Sequence, residues 1–265
     1  GDWSSDVCSS DQWYNKDMRG GIILLKVIAI NSSNRKMNTY NIIFAVKELL
    51  KNHDIDVEII NLFDFDIKTC IGCEQCLIKG ECVLTDQVSD IMEKIKSCDG
   101  IILTSPVYME NVSGKLKTFI DRTCSWFHRP PIYGKPVLVI ATTKGSGLKS
   151  TLKYLERVVI QWGGFNAGEI GRSIRNIDNK VTESECENFI KHLRLEKENY
   201  KPALDALINF QVQKVLAFRM KGLDSQYFKE NGWNAQAYYF KCKINIFKRL
   251  IATSFGKFLN KVVNK

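Results

Sequence analysis

"GIILTSPVYMENVSGKLKTFIDR", residues 100–122, holds the pattern on which the fold turns. It begins as an unbroken apolar run, "GIILTSP", without the alternation of a strand that has one wet face, so it reads as a strand buried on both sides. A turn carrying Pro106, Tyr108, Asn111 and Gly114 follows, and then Val112, Leu116, Phe119 and Ile120 recur at helical spacing. A buried strand that hands over to an amphipathic helix is one half of a parallel βαβ unit.

The same alternation runs through the chain on either side. Val- and Ile-rich strands are predicted at 24–30, 56–62, 136–142 and 165–171, with helices at 39–52, 86–98, 112–126, 148–162 and from 183 to about 199. Five parallel strands with right-handed crossovers give a three-layer, doubly wound α/β domain with helices on both faces. Ligands of such sheets bind beyond the carboxyl ends of the strands, where the strand order reverses. The loops after Ile30, Leu62, Pro106 and Thr142 are therefore the ones to search.

A length of 265 residues with 45% hydrophobic content suits one large domain and an appendage. The domain is expected over 18–200 and a basic helical extension over 201–265. Residues 1–17 show no apolar period and resemble translated adapter sequence, which makes Met18 the expected start and removes Cys8 from the thiol count. The odd count of nine cysteines in so long a chain points to a reducing compartment, and no signal peptide is visible, so the expected location is cytoplasmic.

Net charge is +9, and all of it falls in residues 201–265, where twelve Lys and Arg face Asp205, Asp224 and Glu230. Charge alone is a weak argument for nucleic acid, and none is expected as a partner. Within the extension, 244–263 is a basic amphipathic helix with Phe247, Leu250, Ile251, Phe255, Phe258, Leu259 and Val262 on its apolar stripe. That stripe is expected to pack on its own domain or a second subunit rather than on a membrane. The aromatic-rich "YFKENGWNAQAYYF" (227–240) reads as a docking segment, able to reach a neighbour's ligand pocket.

Two further loops carry chemistry. "NSSNRKMNTYN" (31–41) sets Ser32, Ser33, Asn34, Arg35, Asn38 and Thr39 at a helix start, where hydroxyls, free N–H groups and a guanidinium suit a phosphate or simply cap the helix. Neither GxGxxG nor GxxxxGK[ST] is present. "CIGCEQCLIKGEC" (70–82) spaces Cys70, Cys73, Cys76 and Cys82 as C-x2-C-x2-C-x5-C. Three thiols spaced by three, with a fourth from a short loop, suit the corners of a [4Fe-4S] cluster better than zinc, which favours two separated C-x2-C turns. Metal-free thiols, including a dithiol pair at Cys73 and Cys76, remain an alternative. Cys98, Cys124, Cys186 and Cys242 have no thiol neighbour at ligand spacing and receive no role. His128 reads as a boundary residue, and Lys117 and Asp121 as an i,i+4 ion pair.

In that order, "SSNRKMNT", "CIGCEQCLIKGEC" and "SPVYMENVSGKLKTFIDR" resemble the NAD(P)H-dependent FMN reductase family of flavodoxin-like proteins, and within it the iron-sulfur flavoproteins, over about residues 22–175. The resemblance implies FMN at the carboxyl edge of the sheet. Ser33, Arg35, Asn38 and Thr39 match the phosphate loop, with Ser32 and Asn34 where Gly and Pro are usual. Pro106, Val107, Tyr108, Met109, Glu110 and Asn111 match the segment against the flavin ring, and "ATTKGSG" (141–147), with Thr143 and Gly145, matches the loop closing its other edge.

It further implies NAD(P)H as electron donor and either a small-molecule acceptor or, through the cluster, a ferredoxin-like protein. No catalytic acid or base is implied, and a homodimer or homotetramer is. Two alternatives stay open: a non-catalytic FMN and iron–sulfur carrier reduced by ferredoxin, and a plain flavin or quinone reductase whose cysteines bind no metal.

Overall fold

A computed structural model describes residues 24–263, so the expectations for residues 1–17, Cys8 and Met18 lie outside the described residues. The chain runs β1 (Leu25–Asn31), α1 (Asn38–Lys51), β2 (Ile55–Asn61), α2 (Gln75–Ile78), α3 (Val88–Ser97), β3 (Gly100–Pro106), α4 (Gly114–Arg122), α5 (Cys124–His128) and β4 (Pro136–Thr142). It continues with α6 (Leu148–Gln161), β5 (Phe165–Arg172), α7 (Glu183–Leu193), α8 (Leu204–Met220), α9 (Gly222–Glu230) and α10 (Ile246–Val263).

The five strands pair in parallel in the order β2-β1-β3-β4-β5, the flavodoxin-like doubly wound arrangement. Successive strand residues point to opposite faces, which sorts each apolar run into two cores. Val27 and Ala29 pack with Ile43 of α1 and Phe189 of α7, whereas Ile28 and Ile30 pack with Ile91 of α3, Leu116 of α4 and Leu155 of α6. Helices thus cover both faces.

The helix expected over 112–126 is two pieces. Ser113 starts α4 by accepting from Leu116 N at 3.3 Å. Thr123 ends it: its hydroxyl donates to Ile120 O at 2.7 Å and accepts from Trp162 Nε1 at 2.9 Å, and α5 restarts one residue on. The helix from 183 stops at Leu193, short of the expected 199, where a separate turn of 3₁₀ helix covers Lys197–Asn199.

The helical extension packs against α5 and the end of α6. Asn209 and Gln213 of α8 donate to the last carbonyls of α6, at 3.0 Å to Ile160 O and 2.9 Å to Gln161 O. Phe228, Trp233, Tyr238 and Tyr239 are buried around Phe210 and Tyr133, beside the amino ends of the strands. Residues 227–240 do dock, on their own domain, where Phe228, Trp233, Tyr238 and Tyr239 are buried. The apolar stripe of α10 does not pack on its own domain: the helix lays the small residues Ala252 and Gly256 against the protein and leaves the stripe outward.

Arg172, at the end of β5, ties α7 to the sheet through hydrogen bonds of 2.7 and 2.9 Å to Glu185, which also accepts from the Thr182 N–H at 3.0 Å and the Thr182 hydroxyl at 3.2 Å. The Arg172 hydrogen bonds hold the Glu185 carboxyl below its ordinary range despite partial burial. A depressed carboxylate contributes stability above its unfolded value and loses it as the pH falls through the folded one. Glu185→Gln is therefore expected to cost about 1–2 kcal/mol at pH 7, with the gap to the wild type closing below about pH 4. Urea unfolding at the two pH values checks this, and an undiminished gap in acid would contradict it.

Candidate functional site

The crossovers leaving β1 and β3 diverge, and the crevice between them is closed at its floor by short hydroxyl side chains. Thr104 Oγ1 donates to Ile30 O and Ser32 Oγ to Thr104 O, each at 2.8 Å, and Ser113 Oγ donates to Ser32 O at 3.0 Å. Ser32 is spent on this seam. Above it lies a cavity of about 270 Å³ lined by Ser33, Arg35, Asn38, Thr39, Pro106, Val107, Tyr108 and Thr143, eight residues that the sequence singles out, together with Met37, Thr142 and Lys144.

Among the described residues no side chain caps α1, whose first turn holds no acid, so the N–H groups opening that helix stay free of a side-chain partner where Asn38 and Thr39 line the cavity. Thr39 Oγ1 and Thr142 Oγ1 share a 2.6 Å hydrogen bond that joins this wall to β4. The missed wall residues carried a signal, since Thr142 and Lys144 sit in "ATTKGSG".

Met109, Glu110, Asn111 and Gly145 shape the rim rather than line the wall. Tyr108 and Asn111 exchange backbone hydrogen bonds of 2.9 and 3.1 Å across a two-residue turn, with Met109 at φ 48° and Glu110 at φ 63°. Both central residues are left-handed without being glycine, a strained choice of the kind that gathers at ligand sites. Met109 projects into solvent at 97% exposure. Glu110 turns toward the β4–α6 loop, accepting from Ser146 Oγ at 2.9 Å, and Gly145 N donates to Thr143 Oγ1 at 3.1 Å. Gly147 lets the two loops meet: at φ 82°, a Cβ there would stand 2.6 Å from the Glu110 Cα.

All four motif thiols border one depression, with Ile71, Glu74, Leu84, Asp121 and Arg122. Gly72 and Glu74, both at positive φ, bend the chain so that Cys70 and Cys73 precede the short α2 carrying Cys76, and Cys82 returns after Gly80. Two arginines, Arg122 buried and Arg129 partly so, hold this loop. Arg122 pairs with Asp86, donates to Lys68 O at 2.9 Å and reaches Cys82 Sγ at 3.3 Å. Arg129 pairs with Asp224 of α9 and donates to Cys76 O at 2.5 Å, while His128 Nδ1 lies 3.0 Å from the other Asp224 oxygen. Burial pushes the Asp86 carboxyl up, but the Arg122 hydrogen bond and charge, with N–H groups of Lys68 and Val88, outweigh it and leave it below the ordinary range.

Cys124, exposed and outside that lining, is near enough to act on the motif thiols: burial first and then Cys124, Cys82 and Cys70 push the Cys76 thiol up. No spacing signal exists across that sequence distance. Arg122 did leave a trace, three residues beyond the buried Phe119 on the apolar side of α4. Cys98 and Cys186 are buried, and Lys117 and Asp121 form the expected pair at 2.5 Å.

The cavity fits FMN in kind: an uncapped helix start for the phosphate, a flat Pro106–Tyr108 segment, and hydroxyls at the edge. The thiol depression fits an iron–sulfur group by its donors and by its guanidinium, whose buried Nε has no partner among the described residues. Among the described residues no three His, Cys, Asp or Glu side chains stand close enough to share a single ion. The fit therefore rests on donor chemistry and charge, not on a preformed polyhedron.

Fold and crevice define a flavin-binding doubly wound protein, and residues 25–180 match the NADPH-dependent FMN reductase family, to which the chain belongs. An iron-sulfur flavoprotein of Archaeoglobus fulgidus is 30% identical over 79% of this chain and 100% of its own length. One from Clostridioides difficile is 27% identical over 63% of this chain and 78% of its own. A quinone reductase of Escherichia coli is 30% identical over 33% of this chain and 50% of its own. Among solved structures, RosB superposes with a TM-score of 0.50 at 11% identity, covering 84% of this chain and 92% of its own, a likeness of fold.

Gly147→Ala should cost about 1–3 kcal/mol, through left-handed strain and the contact with Glu110, and should weaken FMN retention. Gly145→Ala, where a Cβ meets nothing within 4 Å, should be close to neutral. Thermal unfolding and flavin content of the two variants check this, and equal behaviour would contradict it.

Proposed function

We propose that this member of the family is an FMN-dependent NAD(P)H oxidoreductase that passes electrons to a small acceptor or, through a [4Fe-4S] cluster on Cys70, Cys73, Cys76 and Cys82, to a protein partner. The observation that carries the reading is α4. It starts at the turn bordering the cavity and ends, about 13 Å on at the helical rise, in the guanidinium that donates to Cys82 Sγ. A flavin cavity and a thiol site at the two ends of one rigid helix suit a relay. That several relatives are named iron-sulfur flavoproteins supports it.

Bound there, FMN would take a hydride from NAD(P)H as an electron pair and release the electrons singly, while a cluster would carry them one at a time. Ser33, Asn38, Thr39 and the opening N–H groups of α1 would hold the phosphate, with Arg35 above it. Pro106, Val107 and Tyr108 would lie along the ring and Thr143 at its far edge, while Met109, Glu110, Asn111 and Gly145 hold the rim in shape. No side chain need move a proton at the flavin, so these residues position and tune. Arg122 and Arg129 would compensate the negative charge of thiolates and keep Cys76 and Cys82 in place.

Exposed Met37, Tyr108 and Met109 beside the cavity offer a surface for nicotinamide and for pairing as a homodimer or homotetramer. Eight free cysteines among the described residues suit the reducing cytoplasm.

Anaerobic stopped-flow mixing with NADPH and with NADH tests the donor. Rapid loss of flavin absorbance with at least one of them is expected. Bleaching by reduced ferredoxin alone would make the protein a carrier instead.

A further inference from the structure

The inward face of α10 is made of small residues: Ala252 is buried, and Gly256 lies so close to α8 that a Cβ would stand 2.7 Å from Gln211 Oε1. The outward face is large and apolar. Phe247, Ile251, Phe255, Phe258 and Val262 follow one another at spacings of three and four, a single stripe, and Phe247 is 72% and Phe258 63% exposed. Lysines flank the stripe, Lys248 along one side and Lys257 and Lys261 along the other.

Residues 231–265 contain seven Lys and Arg and no Asp or Glu. A groove of about 550 Å³ between α8, residues 235–237 and α10 adds Lys214 and Arg249 beside apolar Ile246 and Leu250. Cations next to aliphatic side chains repeat on a second surface what the helix itself displays.

We infer that α10 docks the protein on an anionic lipid surface, with the stripe in the boundary between headgroups and acyl chains and the lysines at the level of the phosphates. The helix is amphipathic and basic, the signature of an element that lies in the interface plane. Among the described residues no helix is long and apolar enough to cross a membrane, so the contact is peripheral. Lysine stems flanking the stripe can extend along it while their ammonium groups stay at the charged surface. A second copy is a poorer occupant: stripe against stripe would bring two basic flanks together with no carboxylate from 231–265 on either side to offset them. Anionic lipid supplies that missing countercharge and the apolar phase together.

Flotation of the full chain with phosphatidylcholine vesicles, with and without about 30% phosphatidylglycerol, tests the inference at low and high salt. The protein should rise with the anionic vesicles, stay down with the neutral ones, and release as salt increases. Ile251→Ser with Phe258→Ser, and separately Lys257→Glu with Lys261→Glu, should each weaken association at least about tenfold with an unchanged far-UV spectrum, as these side chains are exposed. Absence of wild-type binding to anionic vesicles would overturn the inference, as would binding indifferent to both pairs of substitutions. A wild-type dimer that the Ser pair converts to monomer, without vesicle binding, would assign the stripe to a second copy.

Discussion

The seam between β1 and β3 is the constraint on which the molecule depends. The strand order reverses here: β1 crosses over to β2 on one side and β3 to β4 on the other, so the two chains leave in opposite directions on opposite faces of the sheet. That divergence opens a crevice and leaves backbone carbonyls at its floor. Thr104, Ser32 and Ser113 satisfy those carbonyls from side chains, so the loops above start from fixed points. An uncapped helix start on one side and a strained two-residue turn on the other then face each other across a cavity of ligand size.

A second rigid point lies at the far end of α4. A guanidinium taken out of water must keep its charge compensated, and Arg122 does so through its two terminal nitrogens, which meet Asp86, a backbone carbonyl and a sulfur, while its Nε has no partner among the described residues. Arg129 repeats the device with Asp224, which comes from α9. The extension therefore does more than cover the sheet: it supplies the carboxylate that steadies the second half of the cysteine loop. Thiols on a loop whose regular structure is the short α2 acquire defined positions through these two clamps.

What was legible in the sequence follows from how local each signal is. The strands declared themselves because a parallel sheet buried on both faces leaves nothing but apolar residues, as in "PVLVIAT". Eight cavity residues were legible because they sit in contiguous loops. The break at Thr123 was not, since it goes with a hydrogen bond from Trp162, just past the end of α6. For the same reason Cys124 looked isolated, and Asp86 and Asp224 carried no mark of their arginines. The stripe of α10 was read correctly as a stripe, but which face a helix buries depends on the shape of its neighbour. Here Gln211 admits only Gly256.

The central claim is that the crevice and the cysteine loop hold two cofactors joined by α4. Anaerobic purification followed by flavin, iron and acid-labile sulfide assays tests it most directly. The account predicts FMN together with about four irons and four sulfides per chain. FMN without iron would leave a plain flavin reductase and make the two arginine clamps supports of a thiol loop alone.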